Sequence, residues 1–147
     1  LDAFEFPVTD DDEFPPYSFD RAESALKLAK QIARYNGCFI GQVHPNPLGL
    51  RVEKAFYKEL KDDAWFGTIR DFGLWWAARN EVTLDISQEG GRRIVTLNVP
   101  KRMEGLAVML PLLSTPVSVQ GGGKYSVDGK LIIFELAEGT IRMELNN

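Results

Sequence analysis

Glu81-Val82-Thr83-Leu84-Asp85-Ile86-Ser87-Gln88-Glu89-Gly90-Gly91-Arg92-Arg93-Ile94-Val95-Thr96-Leu97-Asn98-Val99 is the stretch on which the reading of this chain turns. Val82, Leu84 and Ile86 alternate with Thr83, Asp85 and Ser87; past Gly90-Gly91, Ile94, Thr96 and Asn98 alternate with Val95, Leu97 and Val99. A period of two places successive side chains on opposite faces of a strand. The glycine pair between the runs turns one strand back on the next. The same grammar continues in Val117-Ser118-Val119, Leu131-Ile132-Ile133-Phe134 and Ile141-Arg142-Met143-Glu144-Leu145, with Asp128-Gly129 and Glu138-Gly139 between runs. Short strands with frequent glycine turns predict an antiparallel sheet or β-sandwich-like domain over 81–147, with at least five strands.

Before Asn80 the period is helical. A first helix is expected over 21–35, where Ala22, Ala25, Leu26, Ala29, Ile32 and Ala33 share one face, with Asp20 and Glu23 as a capping-box start and Asn36-Gly37 as the stop. Cys38-Phe39-Ile40-Gly41-Gln42-Val43 follows as an apolar run and reads as a buried strand ending at His44-Pro45-Asn46-Pro47. A second helix is expected over 50–61, with Val52, Ala55, Phe56 and Leu60 inward. A third starts at Thr68, its hydroxyl capping and Ile69, Phe72, Trp75 and Trp76 forming the buried stripe. Helix, turn, buried strand and loop are half of a parallel α/β unit. The fold class is therefore α+β, with an α/β segment over 1–80 and an antiparallel β-domain over 81–147.

The 147 residues hold 44% hydrophobic and 26% charged side chains, the proportions of a globular chain. A net charge of −4, from 17 Lys and Arg against 21 Asp and Glu, argues against a nucleic-acid partner, which calls for a basic patch. No run approaches the ~18 apolar residues of a membrane helix. The first residue is Leu1, not Met, so the chain reads as either processed or cut from something longer. One cysteine excludes an intrachain disulfide, and one histidine excludes a zinc site of the Cys/His type.

His44 stands out among the candidate site residues. It directly follows an apolar strand, where α/β sheets place their functional groups, and imidazole titrates near neutrality. Asp10-Asp11-Asp12-Glu13 lacks calcium-loop spacing and reads as a solvated charged loop that, with Phe14-Pro15-Pro16, ends regular structure. Trp75 and Trp76 sit at core spacing, whereas Trp65 precedes the helix and is reserved for a binding site. Gly121-Gly122-Gly123-Lys124 lacks the elements of a phosphate loop, and Cys38 reads as a core thiol.

Phe39-Ile40-Gly41-Gln42-Val43-His44-Pro45, a helix, Ala64-Trp65-Phe66-Gly67-Thr68 and then Trp75-Trp76-Ala77-Ala78-Arg79 together resemble the end of a polysaccharide deacetylase catalytic domain. In these NodB-like carbohydrate esterases a late barrel strand ends in a histidine, and Phe4-Glu5-Phe6-Pro7-Val8-Thr9 is similar to an earlier strand of the same distorted barrel. The resemblance covers residues 1–80 and implies a carbohydrate substrate, N- or O-acetylated. It makes His44 the general acid, and Val43 the apolar residue lining the acetyl pocket. It also implies a divalent metal, zinc or a similar ion, held by an Asp and two histidines in an upstream barrel half, and an extracytoplasmic or cell-surface setting. No cofactor is assigned to this chain itself. The alternatives are a non-catalytic carbohydrate-binding module, marked by exposed aromatics on the β-domain, and a protein-interaction module, marked by an apolar strip along the α/β half.

Overall fold

Apolar residues from Ile94 to Val108 lie on one continuous strand in the computed structural model, which describes residues 3–11, 19–35, 37–44, 46–110 and 116–145. This strand, β4 (Arg92–Met109), pairs antiparallel along its length with β7 (Leu131–Leu145). Around them stand β3 (Thr83–Glu89), β5 (Pro116–Gln120) and β6 (Tyr125–Asp128). The sheet order is β3-β4-β7-β5, with β6 on the other end of β7, and every pairing is antiparallel.

The two central strands are longer than the expected short ones: Pro100 lies inside β4, and Glu138-Gly139, expected to separate two strands, lies inside β7. The register between β4 and β7 shifts between Val99 and Met103, so Pro100-Lys101-Arg102 is accommodated as an irregularity within the strand. Proline cannot donate to a ladder and collects at such bulges, which bend a strand without ending it. Gly105, at φ +67°, follows. Across it the buried positions pass from Val95, Leu97, Val99 and Met103 to Leu106, Val108 and Leu110. With Ile132, Phe134, Ala137, Ile141, Met143 and Leu145 they form one cluster drawn from both ends of the bent strands.

Helix α3 (Ile69–Asn80) packs on this cluster through Ala78 and Trp75. The Trp75 indole N–H also donates to the Glu104 carbonyl at 2.9 Å. The chain accordingly divides into residues 1–69 and 70–147, one helix earlier than the change of hydrophobic period near Asn80. Phe72, Trp75 and Trp76 are half-buried as the stripe requires; Ile69 is exposed.

The first unit holds β1 (Asp10–Asp11), α1 (Phe19–Ala33), β2 (Gly41–Gln42) and α2 (Pro47–Leu60). β1 and β2 pair in parallel across α1, and α1 packs on α2. Three expectations need correction here. The run 38–43 is not a buried strand: only Gly41 and Gln42 pair, both exposed, and Cys38 is an exposed thiol instead of a core one. Its composition suits a central strand, but its neighbour among the described residues is two residues long; Phe39 and Ile40 are half-buried, the Phe39 ring 5.0 Å from that of Phe56 in α2. Asp10 and Asp11 form that neighbour, half-buried, where a solvated loop is expected; Asp12 and Glu13 lie outside the described residues. Asp20 sits inside α1 and not at its cap. The Gly37 N–H does close the helix end on the Ile32 carbonyl at 3.1 Å, while Asn36 lies outside the described residues.

Candidate functional site

Two parallel strands leave their sheet at the same end, and that end carries the candidate site. Thr9 starts the pairing: its N–H donates to the Ile40 carbonyl at 2.7 Å, and its Oγ1 accepts from the Ile40 N–H at 3.1 Å. Asp10 then stands opposite Gly41 and Asp11 opposite Gln42. Val43, exposed, and His44, half-buried, follow immediately at the carboxyl end of β2. The carboxyl edge of parallel strands is where open α/β sheets bind ligands.

The turn after His44 is held by its own backbone. The His44 carbonyl accepts from the Asn46 N–H at 2.7 Å, and Asn46 Oδ1 accepts from the Gly49 N–H at 2.8 Å. Asn46 is thus the N-cap of α2, with Pro47 at the first helical position, where its missing N–H costs nothing. These contacts fix the point at which the chain leaves β2 and hence where His44 is presented.

Asp10 and Arg21 are residues that periodicity missed. Arg21 Nη2 lies 2.6 Å from Asp10 Oδ1, and the arginine side chain is only 8% exposed. A cation in the first turn of a helix opposes the helix dipole. That mismatch was the available signal that Arg21 needs a carboxylate. The pair ties α1 to β1, and removing Asp10 would strip a buried guanidinium of an ionic partner.

Trp65 stands elsewhere. It follows the C-terminal end of α2, whereas His44 precedes the N-terminal end, and a helix of 14 residues spans about 20 Å. Phe66 meets Tyr57 of the last helical turns edge-on, ring centres 5.1 Å apart, which keeps this segment at that end. The Trp65 indole folds over Gly67 so closely that a Cβ there would collide with the ring, and the tryptophan is still 66% exposed. Val43 and His44 are therefore brought together, and Trp65 is not brought to them.

No family model, no curated protein and no solved structure matches this chain. Among the described residues, no three His, Cys, Asp or Glu side chains converge as a metal-holding group. No described helix is long and apolar enough to cross a membrane. The Cys38 thiol is pushed above its ordinary value by partial desolvation, the opposite of what a reactive nucleophile needs.

Among the described residues of the first unit burial is thin: the buried hydrophobic ones are Ala22, Ala25, Ala29 and Leu60, while Phe4, Val8, Tyr35, Val43, Leu50 and Tyr57 are exposed. Three alanines and a leucine bury little area, and two-stranded parallel sheets occur as parts of larger covered ones.

Proposed function

We propose that this chain is the C-terminal part of a polysaccharide deacetylase-like protein acting on N- or O-acetylated sugars, with His44 as general acid and the sheet of residues 81–147 as an accessory domain. The observation that carries this reading is the parallel β1-α1-β2 unit, whose second strand ends two residues before His44. A leaving amine or alkoxide must collect a proton, and an imidazole that still carries one near neutral pH suits that task. Val43, exposed beside His44, offers the acetyl methyl an apolar wall.

The thin burial of the first unit supports an upstream half that completes the layer. That half also carries the divalent metal, zinc or a similar ion. The 147 residues alone are then inactive, contributing the acid and part of the sugar contact. Trp65, at the far end of α2, touches the polymer away from the reacting residue if it touches it at all.

A second reading, a protein-interaction module, draws on the same exposed apolar residues. A β-domain that binds sugar on aromatic faces has less support, because Tyr125 is the exposed aromatic among the described strand residues after Asn80.

The test is His44→Ala in the intact parent. Acetate release from an N-acetylglucosamine oligomer should fall on the order of 10²-fold, with the melting temperature unchanged. Unchanged turnover, or normal residual turnover with a large loss of stability, assigns His44 to structure and removes the proposal.

A further inference from the structure

Strand β3 belongs to its sheet by its backbone more than by its side chains. All seven of its residues are exposed. Leu84 and Ile86 stand in register with Leu97 and Val95 of β4, which are 1% and 2% exposed, yet they are themselves 48% and 56% exposed. Val82, just ahead of the strand, does pack against the core cluster. A segment that buries so little apolar surface opens at low cost while its neighbours stay closed.

Ion pairs close both ends of this segment. Ahead of the strand, Lys101 Nζ, from the irregularity in β4, lies 2.6 Å from Glu81 Oε1. At the far end Arg142 reaches from β7 across β4 and sets its Nη2 2.7 Å from Glu89 Oε2. The same Nη2 is 3.9 Å from Glu144 Oε1, and Glu144 Oε2 accepts from Arg92 Nη1 at 2.9 Å. Glu89 is thus tied into a four-residue network on the face of the sheet opposite Val95 and Leu97.

The backbone gives the opening of β3 a signature. Glu89 and Arg92 flank a two-residue turn, with Gly90 and Gly91 at φ +57° and +81°, and so form the hydrogen-bonded type of antiparallel pair. That type recurs at every second pair: Ser87 with Ile94, Asp85 with Thr96, Thr83 with Asn98. The N–H groups of Ile94, Thr96 and Asn98 therefore point to β3, and those of Val95 and Leu97 to β7. One strand carries two sets of amides, one held by each neighbour.

We infer that β3 is a releasable edge strand: it opens from β4 as a unit while the pairing of β4 with β7 stays closed, and the ion pairs of Glu81 and Glu89 latch it, so that ionic strength sets how often it opens. Exposed pairs are individually modest and weaken in salt, so screening both raises the opening equilibrium about two- to tenfold. This inference is independent of the deacetylase reading, and its test uses no sugar.

The experiment is amide hydrogen exchange of the 147-residue chain at low and high salt, read residue by residue as protection factors. The inferred result is that Ile94, Thr96 and Asn98 exchange together with Thr83, Asp85 and Ser87, about tenfold or more faster than Val95 and Leu97. High salt should speed this set about two- to tenfold and leave Val95 and Leu97 unchanged. Glu81→Gln combined with Glu89→Gln, both at exposed positions, should give the same acceleration at low salt and remove the response to salt. The salt series on the wild-type chain decides the question even where the variant does not fold. Equal protection of the two sets of β4 amides, with β3 opening only as the whole sheet opens, overturns the inference. So does a fast set that responds neither to salt nor to the double variant, because the latch is then not ionic.

Discussion

Gly122 and Phe134 are expected to be energetically coupled, and the coupling can be sized from their geometry. Gly122 has φ +72°, and a Cβ built on it would lie 2.7 Å from Ile141 Cδ1 and 3.0 Å from two ring carbons of Phe134. Holding alanine in the left-handed region costs about 1–2 kcal/mol. Pressing a methyl into a packed core adds about 1–3 kcal/mol. Gly122→Ala should therefore destabilise the second unit by about 2–5 kcal/mol, a large share of what a domain of this size has to lose. Phe134 is fully buried, and Phe134→Leu on its own should cost about 1–2 kcal/mol through lost packing. In the double variant the rigid ring edge is gone, and the flexible Ile141 terminus can turn into the vacated space. The overpacking part of the Gly122 cost is then relieved, so the double variant should be more stable than the sum of the singles by about 1 kcal/mol or more. Urea unfolding followed by tryptophan fluorescence measures all four corners of the cycle, since Trp75 packs on the same core. Strict additivity, or a Gly122→Ala variant as stable as the wild type, would refute the claim that the 121–123 loop rests on the Phe134 ring.

Two further outcomes follow from local geometry. Asn46→Ala removes the cap of α2 and should cost about 1 kcal/mol in the first unit, with Asn46→Asp recovering most of it; thermal unfolding of the three proteins checks this. Cys38, although exposed, should react with iodoacetamide more slowly than free cysteine at mildly alkaline pH, because its thiol is held above its ordinary value. The sign carries over to stability. A neutral thiol favoured in the folded state contributes below the unfolded pKa, and that contribution is lost as pH rises through the folded one. A Cys38 that labels faster than free cysteine contradicts this.

The parts of the fold that were legible in sequence are those where one element decides its own burial. Val95, Leu97 and Val99 alternate because one face of β4 meets a core, and Ala22, Ala25 and Ala29 repeat because one stripe of α1 does. What was not legible depended on neighbours. Cys38-Phe39-Ile40 has the composition of a covered strand, but Cys38 is exposed, Phe39 and Ile40 are only half-buried, and β1 offers two residues to pair with. The alternation of β4 stops at Val99 and resumes only after the register shift that ends at Met103, so its full length does not show as one run. The division of the chain ahead of α3 follows from the contacts of Trp75 and Ala78 with the sheet, which a change of period at Asn80 does not report. At the candidate site, His44 was visible from its place after an apolar run. The Asp10–Arg21 pair was not, since the partners lie in an acidic run and at a helix start, and only the fold brings them to 2.6 Å. That Trp65 and His44 stand at opposite ends of α2 needed the extent of the helix and the Tyr57–Phe66 contact.

The proposal that residues 1–69 are a layer completed by further chain is tested most directly by native-state hydrogen exchange. Exchange is to be followed amide by amide in the 147-residue chain and in the same residues within the intact parent. Local opening costs little where few apolar contacts are buried. In the isolated chain the amides of α1 and α2 should therefore exchange far faster than those of β4 and β7, and in the parent they should gain protection while the sheet changes little. Equal protection of α1, α2 and the sheet in the isolated chain, with no gain in the parent, would show that the first unit is complete as it stands and would contradict the account.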